Sequence, residues 1–530
     1  MRTMVVGCFG WLLVSGLSAW AQQADSSTAA RFEVLLQNGV VHRGDGSPGI
    51  AGSVGIREGR ISLLPADTVA DADQKIDCRG LVIAPGFIDL HTHSDEPLLD
   101  RKTRGSVNYL MQGCTTMVTG NCGFGPVDTG KFLAEIDQFG AGTNVAHLIP
   151  HGSLRAEVMG KVNRAATGDE LQRMQTLAQQ AMQDGAWGMS TGLIYIPGTF
   201  TPTSELTAIA GVVSQHGGIY ASHIRGEGTE LLSSIEEALQ IGRGSGCRVH
   251  VSHFKASGRA AWGTLRLAIS QIEAARAGGQ LVTADQYPYT ASSTSLEATL
   301  LPAWAREGGR EALEKRLNDV AEAAKIRADV LQKLATATRI QLASCSYNRS
   351  WVGRSLDEVA QLERREVCDI VLDIERHGGA SVVNFNMSED DLRLAMPLPW
   401  VATASDGGSK IPSGTQPHPR SFGTFSRKIG RYAIEEGVLT PEAAIRSSTG
   451  LPAEILGMSD RGLLADGLAA DVVVFAPTEF RDRADYDNPW QVSAGLRHVL
   501  VNGVFAVYDG VPTGALAGRS LRKAAAAAAK

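Results

Sequence analysis

The sequence lacks the features that attract a protein to nucleic acid or to anionic lipid. Its 530 residues are 20% charged and carry a formal net charge of −6, without a cluster of lysine and arginine that would meet a phosphate backbone. We therefore expect no nucleic-acid partner. A hydrophobic content of 43% in so long a chain predicts one large globular domain with a smaller satellite domain.

The only apolar run that resembles a membrane segment, residues 4–17, is shorter than the roughly 20 residues that a spanning helix requires. Arg2 precedes this run and Ala19-Trp20-Ala21 follows it, which is typical of a secretory signal peptide with its cleavage site. We predict removal of the first 21 residues and a secreted or periplasmic protein without a stable membrane anchor. A transmembrane anchor is the alternative interpretation.

Paired cysteine motifs are missing as well, since no two cysteines stand at CxxC spacing. An even number of cysteines in an oxidising compartment favours disulfides, but a domain of this size does not depend on them. We expect most of these side chains to be buried thiols. The cysteines after the predicted signal peptide are Cys78, Cys114, Cys122, Cys247, Cys345 and Cys368.

Short strand-like segments separated by turn residues occupy both ends of the chain. Asn38-Gly39, Glu58-Gly59 and Asn502-Gly503 each lie between β-rich runs, and such dipeptides indicate hairpin turns. Because the two ends share this pattern, we predict one small β-sandwich built from both.

From about residue 82 onward, apolar runs typical of buried strands alternate with helical stretches. Most run ends lie about 29 to 34 residues apart, which is the length of one strand-helix unit. Eight parallel strands joined by helices predict an α/β fold of the TIM-type (β/α)8 barrel class. The runs are 82–93, 115–122, 145–151, 187–193, 219–225, 248–255, 281–289 and 400–406.

About 110 residues separate strands 7 and 8, too many for a single crossover, and they indicate an insertion at the catalytic mouth. The insertion includes a charged helical stretch and two further strand candidates. The predicted organisation is a signal peptide (1–21), a first β-sandwich part (22–83), the (β/α)8 barrel (84–460, insertion about 291–398), a second β-sandwich part (461–523) and a low-complexity tail (524–530).

Residues of the types that bind metals stand at the ends of these runs, where the active site of such a barrel collects. His91-Thr92-His93 places two imidazoles on one face of a strand, about 6.5 Å apart along the chain, a pattern that is not specific by itself. Imidazoles together with a thiolate and a carboxylate predict one or two zinc ions. The full set is His91, His93, Cys122, His223, His253 and Asp406.

Two members of this set have a structural alternative. Cys122 lies in the small-residue turn Gly120-Asn121-Cys122-Gly123, and a lone cysteine is often only a buried thiol. Asp406 could cap a following helix. As a catalytic group, this carboxylate would take a proton from a water activated by zinc and pass it to the leaving amine.

At these residues the sequence resembles the amidohydrolase superfamily and, within it, the D-aminoacylase (N-acyl-D-amino-acid deacylase) family. The similarity extends over nearly the whole chain after the signal peptide. Its motifs include Pro85-Gly86-Phe87-Ile88-Asp89-Leu90-His91-Thr92-His93, Gly120-Asn121-Cys122-Gly123, Ser222-His223-Ile224-Arg225, Ser252-His253-Phe254-Lys255, Ser405-Asp406-Gly407 and His418-Pro419-Arg420.

The resemblance implies zinc-dependent hydrolysis of the amide bond of N-acyl-D-amino acids. It implies that Cys122, His223 and His253 hold a tightly bound Zn2+, that His91 and His93 define a second, weaker or vacant position, and that Asp406 is the general base and acid. The fourth run, residues 187–193, contains no lysine, whereas many relatives bridge two metals with a carboxylated lysine there.

A substrate carboxylate requires cationic and hydroxyl groups at the pocket wall. The available side chains are Lys255, Tyr287, Tyr289, Arg225 and Arg420, and similarity to the family favours Lys255, Tyr287 and Arg420. Tyr195 is predicted to line the acyl side.

Two other functions are consistent with parts of the pattern. A cyclic-amide hydrolase of the dihydroorotase or hydantoinase kind shares the barrel, the HxH motif and the terminal aspartate, but Cys122 and the missing lysine argue against it. A non-catalytic zinc-binding barrel is the third possibility, and the presence of Asp406 beside a complete ligand set argues against it.

Overall fold

The computed structural model describes residues 31–524. The strands of this range are β1 (Phe32–Val41), β2 (Ile50–Arg57), β3 (Arg60–Pro65), β4 (Ala72–Asp77), β5 (Val82–Pro85), β6 (Phe87–Asp89), β7 (Cys114–Thr119), β8 (Asn144–His147), β9 (Ile149–Pro150), β10 (Gly188–Gly192), β11 (Ile219–His223), β12 (Arg248–Val251), β13 (Val282–Gln286), β14 (Ser292–Ser295), β15 (Ile340–Cys345), β16 (Ala380–Asn384), β17 (Val401–Thr403), β18 (Val472–Phe475), β19 (Leu496–Val501), β20 (Val504–Tyr508) and β21 (Val511–Pro512).

Helices connect most of these strands, and a π-helix occupies Arg427–Glu435. The α-helices are α1 (Asp95–Leu99), α2 (Val107–Leu110), α3 (Thr129–Phe139), α4 (His151–Met159), α5 (Gly168–Gln183), α6 (Thr203–Gln215), α7 (Leu231–Ser245), α8 (Leu265–Ala277), α9 (Leu296–Leu300), α10 (Ala303–Arg306), α11 (Arg310–Asn318), α12 (Val320–Leu334), α13 (Leu356–Glu363), α14 (Val367–Arg376), α15 (Glu389–Ala395), α16 (Arg420–Ser426), α17 (Pro441–Ser448) and α18 (Gly450–Leu456).

Both ends of the described chain contribute to one nine-stranded sheet. Strand β5 pairs in parallel with β1 and antiparallel with β18, so it joins the N-terminal strands to the C-terminal ones. Side chains alternate between the two faces, as they must on a strand. In β18, Val472 and Val474 pack in one apolar cluster, whereas Val473 and Phe475 pack in another.

Two of the three predicted hairpin turns are confirmed, and one prediction is wrong. Glu58 and Gly59 connect β2 to β3, and Asn502-Gly503 connects β19 to β20, with positive φ at both central residues as a type I′ turn requires. Asn38-Gly39 instead lies inside β1, where the register with β2 shifts between Leu36 and Gly39. The dipeptide there forms a bulge, because β1 continues along the same neighbour.

Backbone hydrogen bonds link nine short parallel strands, of which β8 and β9 are two parts of one predicted run, separated only by Leu148. Pairing runs from β6 to β7 and β8, and from β9 through β10, β11, β12 and β13 to β17. The amide of Trp187 donates to the carbonyl of His147 at 2.9 Å, which connects β8 to β10. After β17, the amide of Asp406 donates to the carbonyl of His91 at 2.8 Å, and this hydrogen bond connects the segment after β17 to the segment after β6. The fold is therefore mixed α/β, as predicted, and the carboxyl ends of these strands share one side.

The first predicted run, residues 82–93, is two strands in two different sheets. Strand β5 belongs to the nine-stranded sheet, and β6 begins the parallel set. Gly86 separates them, and a Cβ at this position would lie 2.2 Å from the Thr115 hydroxyl. Only glycine fits this close approach, so the chain changes sheets there.

The segment between β13 and β17 forms a small α/β unit with its own core. Its strands β14, β16 and β15 pair antiparallel, and β15 and β16 coincide with the two strand candidates of the insertion. Leu296, Leu313, Val330 and Trp351 belong to an apolar cluster that this segment forms by itself.

The predicted signal peptide and residues 525–530 of the tail lie outside the described residues. Within residues 31–524, no helix combines the length and the apolar character needed to cross a membrane. All six cysteines of this range are buried free thiols, in agreement with the expectation for most of them.

Candidate metal centre

The six predicted metal-site residues come together at the carboxyl ends of the parallel strands. Three groups of three have side-chain donor atoms within 4.8 Å of one another, and every one of the six residues belongs to at least one group. The groups are Cys122 with His223 and His253, Cys122 with His91 and His93, and Asp406 with His91 and His253.

Three of these residues have an unusual backbone conformation. Cys122, His253 and Asp406 have φ values of +51°, +36° and +49°, in the left-handed region that L-residues other than glycine rarely adopt. Such a conformation costs on the order of 1–3 kcal/mol and persists where the surrounding structure fixes it, commonly at functional sites. The turn before Cys122 is also tight, since a Cβ on Gly120 would lie 2.0 Å from the carbonyl oxygen of Leu148.

Cys122, His223 and His253 form one of the three donor groups. Cys122 Sγ lies 3.7 Å from His223 Nδ1 and 3.8 Å from His253 Nε2, and the two nitrogens are 2.8 Å apart. Zn–N bonds of about 2.0–2.1 Å and a Zn–S bond of about 2.3 Å separate tetrahedral ligands by about 3.3–3.6 Å. The sulfur–nitrogen distances are close to this spacing, and the donor types suit zinc.

A second group of donors adjoins the first. His91 Nε2 lies 3.2 Å from Cys122 Sγ and 3.5 Å from Asp406 Oδ1, and His93 Nε2 lies 3.0 Å from the same Asp406 oxygen. No helix begins between Asp406 and Arg420 in the described chain, so this carboxylate caps no nearby helix. Its neighbours are imidazoles and a guanidinium instead.

Electrostatics favour the ionised forms of both acidic groups. Burial raises the pKa of the Cys122 thiol, but the charge of His91 and a hydrogen bond with His223 outweigh burial and bring this pKa well below its usual value. Burial also opposes ionisation of Asp406, and the guanidinium of Arg420, followed by His91, still holds the pKa of its carboxyl well below the usual range. A thiolate and a carboxylate are the forms in which these residues bind metals or accept protons.

Glu227 is a site residue that the sequence analysis did not identify. Its Oε1 lies 2.9 Å from His253 Nδ1, and the same carboxylate contacts the ammonium of Lys255. A carboxylate on the far nitrogen of a ligating imidazole fixes the orientation of the ring. Glu227 stands four residues after His223, and that spacing was the available sign of it.

Asp285 contacts two of the metal-site histidines, His91 and His253, and a third histidine, His250. Its Oδ1 accepts the backbone N–H of His253 at 2.6 Å, and its Oδ2 lies 3.4 Å from His91 Nδ1 and 2.9 Å from His250 Nε2. Its position near the end of β13 was the available sign, since ligand-type residues end the neighbouring strands as well. His250 therefore contacts Asp285 and belongs to none of the three donor groups.

Lys255, Tyr287 and Arg420, for which the sequence analysis predicts contacts with a substrate carboxylate, lie near Asp406. The Arg420 guanidinium carbon is 4.8 Å from the Tyr287 ring centroid and the Lys255 Nζ is 5.9 Å from it. Arg420 Nη1 is 2.8 Å from Asp406 Oδ2. The Tyr287 hydroxyl is buried without a hydrogen-bond partner among the described residues, which leaves it free to donate to a ligand.

Tyr195 lines two cavities at the site. Its ring lies 5.2 Å from the His223 ring, and its hydroxyl is 2.9 Å from the Thr294 hydroxyl. A small cavity of about 230 Å³ is lined by Lys255 and Tyr287. A large cavity of about 890 Å³ is lined mainly by residues of the insertion. Both border Tyr195, His93, Ser293 and Thr294.

The structure does not bring Arg225 and Tyr289 to these cavities, contrary to their predicted role in substrate binding. The Arg225 guanidinium lies 2.8 Å from Glu237 and donates to the carbonyl of Thr199 at 2.9 Å, so its donors are occupied. The Tyr289 ring packs edge-on against His418, 5.2 Å away, behind the cavity wall. Their sequence positions near strand ends did not reveal that each side chain points to other partners.

Comparisons with known proteins agree with this geometry. Residues 74–507 match the amidohydrolase family (Amidohydro_3). The chain is 34% identical to a D-aminoacylase of Alcaligenes xylosoxydans xylosoxydans, over 95% of this chain and 100% of that protein, and 35% identical to an N-acyl-D-glutamate deacylase of the same organism, over 94% and 98%. A crystal structure of N-acyl-D-glutamate deacylase from Bordetella bronchiseptica, complexed with zinc and a phosphonate mimic of the tetrahedral intermediate, is 31% identical, with a TM-score of 0.80 and coverage of 93% of this chain and 100% of that one.

Proposed function

Since the chain belongs to the amidohydrolase family and, within it, to the D-aminoacylases, we propose that it is a metal-dependent enzyme that hydrolyses the linear amide bond of N-acyl-D-amino acids. The products are a free amino acid and a carboxylate. The observation that carries the proposal is the compact group of Cys122, His223 and His253 directly beside Asp406. The D configuration is proposed from the three relatives that align over 92% or more of the chain, each of which is named for D substrates.

The donor set fits zinc, with Cys122, His223 and His253 as the residues of a tight site and His91 and His93 as those of a second, weaker one. When bound, zinc polarises the scissile carbonyl and makes water more acidic. The imidazoles must be neutral to bind it. Glu227, on the far nitrogen of His253, orients that ligand.

Asp406 is the proposed proton carrier. Its carboxylate receives the proton of the attacking water and later delivers a proton to the amide nitrogen, so that the amine leaves neutral. His93 and Arg420 hold the two carboxylate oxygens at 3.0 and 2.8 Å, which keeps the group ionised and oriented before reaction.

Lys255, Tyr287 and Arg420 are proposed to bind the α-carboxylate of the substrate. Lys255 is buried and its charge is balanced by Glu227, so a substrate carboxylate would join an ion pair already formed. The charge of Arg420 is likewise balanced by Asp406. The substrate carboxylate is thereby held beside the proton carrier, which places the scissile amide over the Cys122 group.

We further propose that the eight parallel strands close as a (β/α)8 barrel and that the nine-stranded sheet folds into a β-sandwich. The hydrogen bond from Asp406 back to His91 supports closure of the barrel. An apolar cluster that joins Val34, Ile56 and Leu500 supports the sandwich. The domain boundaries and the export by a signal peptide predicted from the sequence belong to the same proposal.

A panel of substrates tests the proposed function. The purified protein with zinc should release free amine from N-acetyl and longer N-acyl D-amino acids, with little release from the L enantiomers. The Asp406→Asn protein, purified in parallel, controls for a contaminating hydrolase. Equal turnover of both enantiomers would contradict the D preference, and hydrolysis of a hydantoin without hydrolysis of any N-acyl amino acid would favour the cyclic-amide alternative.

A further inference from the structure

A buried arginine in the large cavity has no acidic partner. Arg306, at the end of α10, is 6% exposed, and the only hydrogen bond of its side chain among the described residues runs from Nη2 to the carbonyl of Ile194 at 3.2 Å. Its Nε is buried without a partner. No described carboxylate lies within ion-pair distance of the guanidinium. Burial of a charge without such a partner is costly, and an anionic ligand would lower that cost.

The charges around this cavity favour an anion. Four basic side chains and two acidic ones line it. The two acids, Glu297 and Glu375, lie 3.9 and 2.8 Å from the neighbouring Arg310. Neither comes within ion-pair distance of Arg306, although the charges of both act on it from farther away. Burial raises the pKa of Glu375 to about 7 against the opposing effects of Arg310 and Arg306, which reduces its negative charge at neutral pH.

The position of the cavity assigns it to the acyl part of the substrate. The small cavity holds Lys255 and Tyr287, which are proposed to bind the α-carboxylate, and the large cavity borders Cys122, Phe124 and Tyr195. A substrate with its scissile carbonyl at Cys122 therefore extends its acyl group into the large cavity. At about 890 Å³, this cavity is much larger than an acetyl group requires.

Arg306 is fixed close to this path. The carbonyl that it binds belongs to Ile194, the neighbour of Tyr195. Its own segment is attached to the main body of the protein, because Gly308 donates to the carbonyl of Lys161 at 2.9 Å and Asn163 donates to Glu307 at 2.9 Å. The guanidinium is thus held between the insertion and the strand ends, on the acyl side of the site.

We propose that the large cavity is a subsite for an acyl group that ends in a carboxylate, and that Arg306 binds this carboxylate. The inference rests on the proposed deacylase function and specifies its substrate class as D-amino acids acylated by one end of a dicarboxylic acid. Arg306 is a specificity residue and takes no part in the chemical step.

The test compares pairs of substrates that differ only in the charge at the acyl terminus. N-succinyl, N-glutaryl and N-adipyl derivatives of one D-amino acid are matched with their terminal amides, and the N-acetyl derivative serves as the reference. We expect at least one carboxylate to be preferred over its amide by about 10-fold or more in kcat/KM, mainly through KM, because the contact is remote from the reacting atoms.

Two variants identify the residue responsible. Arg306→Gln should abolish the preference and leave hydrolysis of the N-acetyl derivative unchanged, and Arg306→Lys should retain part of the preference. Arg349→Gln is the matched control, because it removes an exposed positive charge from the same cavity wall and should change the preference little. If Arg306→Gln fails to fold, the substrate pairs on the unaltered protein still decide the main point.

The possible outcomes distinguish failure of the Arg306 inference from failure of the proposed deacylase function. Hydrolysis of the N-acetyl derivative with equal treatment of every carboxylate and amide pair would overturn the inference and leave the proposed function intact. A preference that persists unchanged in Arg306→Gln would overturn the assignment to Arg306. Failure to hydrolyse any N-acyl-D-amino acid would overturn the proposed function, and the inference with it.

Discussion

Asp406→Asn separates binding from chemistry at the candidate site. The substitution keeps the size and shape of the side chain and removes its charge. Asparagine also tolerates the left-handed backbone at this position, where φ is +49°, so the main chain need not change. What the variant loses is a group that can accept and return a proton.

The expected effect follows from the contacts of Asp406. Its carboxylate touches His93 at 3.0 Å and Arg420 at 2.8 Å, and it belongs to no donor group with Cys122 and His223, so the compact zinc site should remain. General acid–base groups contribute about 100-fold to 10,000-fold to the rate, and kcat should fall by that factor, a barrier increase of roughly 3 to 5 kcal/mol. KM should change little, because the residue acts in the transition state.

The assay combines steady-state kinetics on an N-acyl-D-amino acid with elemental analysis of zinc in the same preparation. Asp482→Asn is the matched control, because Asp482 is half-buried and lies 2.8 Å from an arginine, Arg427, without contact to any candidate ligand. The control should keep its kcat. Near-normal turnover by Asp406→Asn, with zinc present, would remove Asp406 from the mechanism.

Three further outcomes are expected. Cys122→Ala should lose zinc and activity together, measured by elemental analysis and amine release, and an active, zinc-replete variant would show that the thiol only packs. Lys428 is fully buried without a hydrogen-bond partner among the described residues, and burial lowers its pKa to about 7. In the unfolded chain the Lys428 ammonium keeps its proton up to about pH 10.5, so folding at lower pH costs the free energy of removing that proton, and this cost declines as pH rises from about 7 to 10.5. Lys428→Met should therefore raise the free energy of unfolding by about 4 kcal/mol at pH 7, measured by denaturant unfolding. The substitution of an exposed lysine, Lys131→Met, is the control. A variant less stable than the parent would contradict this reasoning. N-terminal sequencing of exported protein should begin near Gln22, and an intact Met1 would refute the predicted signal peptide.

Much of the candidate site could be predicted from sequence because parallel strands bring their carboxyl ends to one side. His91, Cys122, His223 and Asp406 are far apart in the chain, yet each stands at or just beyond the end of an apolar run, and the structure brings these side chains together. The Glu58-Gly59 hairpin could also be predicted from sequence, because a type I′ turn requires two adjacent residues with positive φ, and glycine adopts that conformation readily.

Other features depended on partners that are distant in sequence. Arg225 carries a charge and follows a strand, as a substrate-binding residue would, but its guanidinium pairs with Glu237 on α7. Asn38-Gly39 has a hairpin composition, but the neighbouring strand continues past it and makes it a bulge. Composition reports what a side chain can bind, and only the tertiary structure reports which partner is within reach.

The sequence by itself determined the chemical types at the site, because imidazole, thiolate and carboxylate are fixed by residue identity and their strand-end positions by hydrophobic periodicity. The tertiary structure decided how those groups are supported and what lies beyond them. Glu227 reaches His253, Gly86 lets one apolar run divide between two sheets, and Arg306 remains buried without an acid. Each of these depends on distances between segments far apart in the chain, and no local pattern records such distances.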